Sequence, residues 1–594
     1  MKTSFRTKTN ISERNGKSLA ARELAVAVFF SVLFLVIAGR AVHVHVFQGT
    51  WLAEQAKSQY NKYMVTCGKR GTIYDAKNQE LAVSLEVTSL GAFPKRMDDK
   101  KEVANKLAKV LGLNAWDLRK KLQNTTSFTW IKRKISPKAV AEIKKFKLPG
   151  LEFVGEHNRF YPNRGLAAHV IGFTDTDGKG LEGVEFQYDQ ELYSAPDKFL
   201  VTRDARGKRF NTSDGYTTGF QGNNVVLTID RQIQYLAEKA LNEAAKEFQA
   251  RYGTAVVMNP NTGAILAMAQ YPGFNPNAFG KSNKDLWRNR AITDPYEPGS
   301  TLKVILAAAA LEAHLLTPTS SFYCENGSYR VGGNKVNDTH PYEWLTVQQI
   351  IKYSSNIGAV KISEITGKTL LYETLTDFGF GKNTGIDCPG ETPGILSNCK
   401  KWRTIDTGAI SFGQGISVSA VQLLTAVSAI ANGGNLMKPH IVQSVVAPDG
   451  TLVKNCEIQS PKRVISAETS EKVKEIMASV VAEGGTGVNA ALSKYTVCGK
   501  TGTAQKIDSG RYSADKYNSS FVGFAPKNNP QVAVLVILDE PKNAHYGGTV
   551  AAPAFKRIIH ETLNYMNVEP ENDNNDDTIL LAQRFETKRD GVKP

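Results

Sequence analysis

YEPGSTLKVILAAAALEAHLL, residues 296–316, reads as a buried helix together with its entry turn. After Lys303 the run is apolar on every side, the pattern of a helix enclosed by other elements. Pro298 and Gly299 stand at its mouth, where a proline suits the first helical turn. Ser300 is then expected at the helix start, where unpaired backbone N–H groups and the positive end of the dipole favour a developing anion. Lys303 follows one turn later on the same face. Burial in apolar surroundings disfavours its charged form, which leaves a neutral amine able to act as a base toward the serine hydroxyl. Taken alone, a capping serine and a surface lysine explain the same letters.

Working outward, two further segments carry matching chemistry. Tyr353-Ser354-Ser355-Asn356 lies between two helical patterns and offers a hydroxyl and an amide from a loop. Helix capping accounts for it in isolation. Cys498-Gly499-Lys500-Thr501-Gly502-Thr503-Ala504 reads as a strand in which Gly502 permits close approach and Lys500 supplies a cation for a carboxylate. The order S-x-x-K, S-x-N, K-T-G in one module is far more specific than any one element, and it is the set of the penicillin-binding proteins and β-lactamases.

The surroundings read as an α+β module. GTAVVMNPNTGAILAMAQYP, 253–272, alternates on both sides of a Pro-Asn-Thr-Gly turn and predicts a hairpin. Strand patterns return at Tyr495–Gln505, Ser519–Ala525 and Gln531–Asp539, before a closing helix over Ala552–Tyr565. Strands at both ends with helices between predict one central antiparallel sheet flanked by helices. NVVLTID from Asn223 is taken as the opening strand of this module, followed by an amphipathic helix over Arg231–Phe248.

Ahead of it, residues 48–222 read as a stalk and a mixed pedestal. Trp51–Met64 is predicted as a polar helical stalk, Lys101–Leu111, Ala115–Leu122 and Pro137–Phe146 as helices, and RGTIYD and ELAVSLEVTSLGAF as strands. The Arg and Gly residues there are assigned to turns and packing, and the module to an interaction role. LAVAVFFSVLFLVIAG, 24–39, carries no charge, and apolar character resumes after Arg40 up to Phe47. One helix could span a membrane if Arg40 snorkels, since a span needs roughly 20 residues. Lys2, Arg6, Lys8, Arg14, Lys17 and Arg22 precede it, so the positive-inside rule puts the start in the cytoplasm and the bulk outside. No clean small-x-small cleavage site follows the apolar run, which favours an uncleaved anchor over a signal peptide.

The 594 residues exceed one ordinary core, and the formal charge of +16 would suit nucleic acid. Lys and Arg are interspersed with acids nearly everywhere, which argues against that partner. Six cysteines without C-x-x-C spacing give no expectation of a metal. An exported bulk permits a disulfide between Cys388 and Cys399, although isolated buried thiols are favoured.

The chain resembles the class B penicillin-binding proteins, most closely those of cell division. The resemblance runs through the anchor, RGTIYD, RFYPNRGLAAHVIGF, GLEGVEFQYDQEL, RNRAITDPYEPGSTLK, SFGQGISVSAVQL, KTGTAQK and YGGTVAAPAF. Where many relatives read Asp-Arg-x-Gly after the first strand, this chain has Asp75-Ala-Lys-Asn-Gln79.

The resemblance implies a serine D-Ala-D-Ala transpeptidase that cross-links peptidoglycan stem peptides at the division septum and is acylated by β-lactams. Ser300, Lys303, Ser354, Asn356 and Lys500 are its implied catalytic set. Thr501, Gly502 and Thr503 bind the substrate, and the N–H groups of Ser300 and Thr503 form the oxyanion hole. No cofactor or metal is implied. The expected partners are the inner membrane and division-complex membrane proteins, a septal glycosyltransferase among them. The expected layout is a cytoplasmic tail 1–22, an anchor 23–47, the stalk and pedestal 48–222, the transpeptidase domain 223–568 and a disordered tail 569–594. An elongation transpeptidase, and a carboxypeptidase, β-lactamase or β-lactam sensor of the same fold, are the alternatives.

Overall fold

A computed structural model of the chain describes residues 10–66, 68–125, 128–193, 197–202, 216–217, 221–456, 460–508 and 510–571. The start of the cytoplasmic tail and the end of the C-terminal tail expected from the sequence lie outside these residues. The chain divides into two units, 1–66 with 196–219, and 67–195 with 220–594.

In the first unit a helix spans Asn10–Val42 and continues through a wider π-helical turn, His43–Phe47. Its stretch Ala21–Phe47, 27 residues that include an 18-residue window with a mean hydropathy of 2.4, is long and apolar enough to cross a membrane. At 1.5 Å per residue it reaches about 40 Å, more than the hydrocarbon thickness. Arg40 thus falls near one end of the span and not at its middle. The expected helical stalk is shorter than its pattern suggested. The helix Gly49–Tyr60 stops, and Asn61–Thr66 forms a strand antiparallel to Asp197–Thr202, which also pairs with Tyr216–Thr217. The letters NKYMVT, rich in β-favouring types, explain the switch once a distant partner strand exists.

The second unit begins with the pedestal. Its 13-residue strand Glu80–Ala92 pairs with both Thr129–Ile135 and Leu151–Phe160. Three helices pack around this ribbon, Lys100–Leu111, Ala115–Asn124 and Pro137–Lys145, each opened by a side-chain cap from Asp99, Asn114 or Ser136. The turn at Asp75, where the chain departs from many relatives, is closed by its own side chain. Asp75 Oδ1 accepts from the Lys77 and Gln79 amides at 2.8 and 2.7 Å, and Asn78 takes a φ of +58°, a left-handed position that asparagine tolerates. The arginines read as packing positions form a buried ion cluster: Arg70 Nε lies 2.7 Å from Glu185 Oε2, and Arg159 Nε lies 2.5 Å from Glu185 Oε1.

The strand NVVLTID does not belong to the central sheet. Asn224–Leu227 runs parallel to Ile73–Tyr74 and antiparallel to Val442–Val446, stitching the pedestal to the part of the chain that follows. Its letters predict a buried strand but carry no signal for which sheet it joins. The central sheet is antiparallel and five-stranded, in the order Ile265–Tyr271, Tyr252–Met258, Val532–Asp539, Arg511–Ala525, Cys498–Asp508.

Alternate residues of its inner strands enter two different cores. Val256, Met258, Leu535 and Phe524 face the large helical core, whereas Ala255, Val257, Val534 and Phe521 face the helices Arg231–Glu247 and Ala552–Tyr565. A sheet covered on both faces needs apolar side chains at every position, which is why VAVLVILD shows no polar alternation. The helix Lys303–Glu312, buried from Lys303 through Leu311, lies in the large core on one face of the sheet. The strand Cys498–Asp508 is the sheet edge, and a groove runs beside it. Cys388 is buried and Cys399 half-buried, and both are free thiols.

Candidate active site

Ser300 sits in a tight 3₁₀ turn, Gly299–Leu302, that feeds the helix at Lys303, so it stands one turn ahead of the α-helix proper. The turn is pinned from two sides. The Gly299 amide donates to Gly413 O at 3.1 Å, from the SFGQG loop, and Thr301 Oγ1 donates to Pro298 O at 2.7 Å. Gly299 has a φ of +56°, and a Cβ there would lie 3.1 Å from Thr503 O, so the turn packs directly on the edge strand.

Lys303 has no exposure to solvent. Its Nζ donates to Ser354 O at 2.6 Å and Asn356 Oδ1 at 2.8 Å, with Ser354 Oγ at 3.4 Å. Burial pushes its pKa down to about 7, and the charge of Asp338 offsets part of that fall. Among the described residues no hydrogen bond joins the Ser300 hydroxyl to this amine, so the expected neighbour of Ser300 rests on the Ser354–Asn356 loop in this state.

Ser354 caps the helix Val347–Tyr353 in a left-handed conformation, φ +63°. That turn aims its hydroxyl toward a second buried amine: Lys500 Nζ donates to Ser354 Oγ at 2.9 Å and to Thr501 O at 3.1 Å. Burial, and then the charge of Lys303, hold Lys500 well below the usual lysine range. The two amines therefore share Ser354, Lys303 on its carbonyl and Lys500 on its hydroxyl. Asn356 opens the helix Asn356–Thr366, and its Nδ2 donates to Asn337 O at 3.1 Å.

The edge strand supplies the remaining positions. Thr501 Oγ1 donates to Thr486 Oγ1 at 3.1 Å, and Thr503 Oγ1 accepts from the Gly547 amide at 3.1 Å. Gly502 has no room for a side chain, since a Cβ would meet Ser520 Oγ at 2.3 Å and Thr301 Cγ2 at 2.8 Å. Ser300, Ser354, Asn356, Thr501 and Thr503 line a groove of about 1050 Å³. Lys303 and Lys500 stand behind this lining, both touching Ser354. All eight positions singled out in the sequence thus meet at one place.

Three contributors were not read from the sequence. Asp338 accepts from Ser355 Oγ at 2.5 Å and from the Ile357 amide at 3.1 Å, and it also accepts from the Asn356 amide, fixing the loop that carries Ser354 and Asn356. Thr486 supports the edge strand from a turn 15 residues before Thr501, and Gly547 from the start of the short helix Gly547–Val550. Asp338 and Thr486 lie in no local pattern, whereas Gly547 falls in YGGTVAAPAF, a segment that carries the resemblance but gives no hint of its contact with Thr503.

Residues 253–560 match the penicillin-binding protein transpeptidase domain, and residues 66–227 the penicillin-binding protein dimerisation domain. The probable peptidoglycan D,D-transpeptidase PenA of Neisseria gonorrhoeae is 36% identical over 551 residues, 92% of this chain and 93% of that relative. The peptidoglycan D,D-transpeptidase FtsI of Escherichia coli K12 is 32% identical over 557 residues, 92% of each. The crystal structure of penicillin-binding protein 3 of Mycobacterium tuberculosis in complex with aztreonam superposes with a TM-score of 0.67 at 28% identity, covering 86% of this chain and 98% of that one. A serine at a helix mouth beside a buried amine, an edge strand and a dimerisation module in front place the chain in one family: it belongs to the class B penicillin-binding proteins and is a serine-type peptidoglycan D,D-transpeptidase.

Proposed function

We propose that the chain cross-links peptidoglycan at the division septum through an acyl-enzyme on Ser300. The observation that carries this reading is the meeting of Ser300, Ser354 and Asn356 at one groove, with two buried amines on Ser354. Ser300 Oγ attacks the carbonyl carbon of the penultimate D-Ala, and its proton passes to neutral Lys303. The N–H groups of Ser300 and Thr503 stabilise the oxyanion. The C–N bond to the terminal D-Ala breaks, the leaving amine takes a proton relayed through Ser354, and an ester on Ser300 remains. Asn356 holds the donor backbone, while Lys500, Thr501 and Thr503 hold the terminal carboxylate, with Gly502 giving the close approach. An amine from a neighbouring stem peptide then attacks the ester, and Ser300 recovers its proton. A β-lactam enters by the same attack, but its opened ring keeps the leaving amine tethered, so the acyl-enzyme persists.

The layout 1–22, 23–47, 48–222, 223–568 and 569–594 completes the reading. The positive residues before Leu24 support a cytoplasmic start with the catalytic part outside the inner membrane. The anchor and pedestal would then meet division-complex membrane proteins, a septal glycosyltransferase among them. Incubating the purified chain with a thioester stem-peptide mimic and a D-amino acid tests the chemistry. Transfer of the acyl group to the amino acid is the expected result, and hydrolysis alone would favour a carboxypeptidase.

A further inference from the structure

The groove contains no carboxylate of its own. Among the described residues that line it there is no Asp or Glu, and the ionisable cationic groups are Lys335, His340 and His545. Asp338, between the lining residues Asn337 and Thr339, has both oxygens occupied by Ser355, Asn356 and Ile357. Lys335 lies on a two-stranded hairpin, Ser328–Val331 with Asn334–Asn337, that forms one rim of the groove. Its cross-strand partner is Arg330. Two cations directly opposite each other on one face repel, a cost the hairpin bears with no compensating anion. Both are exposed, and among the described residues neither makes an ion pair. The other face is apolar and satisfied: Val331 and Val336 are buried, and Tyr329 donates to Glu364 at 3.2 Å.

The position of the pair along the groove gives it meaning. In the reading above, the terminal carboxylate lies at Lys500 and Thr503, the scissile carbonyl at Ser300, and the upstream backbone at Asn356. Asn356 Nδ2 reaches Asn337 O, and Lys335 lies two residues back on the same face, about 7 Å further along the strand. A donor peptide held at Asn356 that continues along this rim past Asn337 comes within reach of Lys335.

We propose that Lys335, with Arg330 beside it, is a specificity-determining residue that reads a carboxylate on the stem-peptide residues preceding D-Ala-D-Ala. The enzyme then favours donors that keep a free carboxylate there over donors carrying a carboxamide. This rests on the transpeptidase reading, and the test separates the two. Acylation of the full-length chain is followed with two penicillins, one with an uncharged aryl-acetyl side chain and one whose side chain bears an extra carboxylate. The readout is the ratio of their second-order acylation rate constants, anionic over neutral, at low salt. Exposed rim charges act weakly one by one, so the double variant Arg330→Glu with Lys335→Glu should lower this ratio about tenfold, and Lys335→Gln by less. Raising the salt should move the wild-type ratio toward that of the double variant. An unchanged ratio, or a loss of both penicillins in equal measure, overturns the proposal. A wild-type chain acylated by neither penicillin contradicts the transpeptidase reading itself.

Discussion

Lys303 is buried because the helix it opens is apolar on every side, and that much can be read from KVILAAAAL before any contact is known. The consequence is a pKa held at about 7, so the amine is largely protonated below that pH and free to accept a proton above it. Acylation by a penicillin should therefore rise about tenfold per pH unit on approaching neutrality and level off above it. A flat rate between pH 6 and 8 would show that another base serves Ser300. The same shift links to folding with a fixed sign. The unfolded chain, with lysine at its ordinary 10.5, binds more protons than the folded one between about 7 and 10.5, so this group adds stability as pH rises through that window. What the sequence hides at this scale is Asp338. It reaches Ser355, Asn356 and Ile357 from 17 to 19 residues away, a separation that no helical or strand period marks.

Among elements, the edge strand Cys498–Asp508 shows how tightly the Ser300 turn is seated. Gly502 faces Ser520 Oγ and Thr301 Cγ2, with Pro298 O at 3.1 Å from where a Cβ would lie. Gly502→Ala should push the turn off the strand, cost about 1–3 kcal/mol of stability and slow penicillin acylation at least about tenfold. Thermal melting and labelling rates check it, with Gly280→Ala as the control, since a Cβ there meets nothing within 4 Å. Normal labelling by the Gly502 variant would mean that the strand and turn are less coupled than their packing implies. Most strands and helices of this domain were legible because periodicity and turn residues are local signals. The closing helix Ala552–Tyr565 falls on its expected bounds. Asn224–Leu227 is the strand its letters predict but joins a different sheet, and Asn61–Thr66 is a strand where a helix is expected. Asn224–Leu227 and Asn61–Thr66 are defined by partners far along the chain, Val442–Val446 and Asp197–Thr202, and pairing leaves no trace in the strand's own letters.

At the scale of the whole molecule, charge and hydropathy alone identify the helix Ala21–Phe47, while the ion cluster of Arg70, Arg159 and Glu185 joins residues up to 115 positions apart and could not be foreseen. The basic segment ahead of that helix predicts its orientation. A reporter active only outside the cytoplasm should work when fused after residue 220 and fail when fused before residue 20, and the reverse pattern would invert the topology. The central claim is that one serine carries the acyl group. The most direct measurement treats the purified full-length chain with a penicillin and maps the adduct by peptide mass spectrometry. One equivalent of penicilloyl mass is expected on the peptide containing Ser300, with none acquired by Ser300→Ala. An adduct on a different residue, or full labelling of the Ser300→Ala chain, would contradict it.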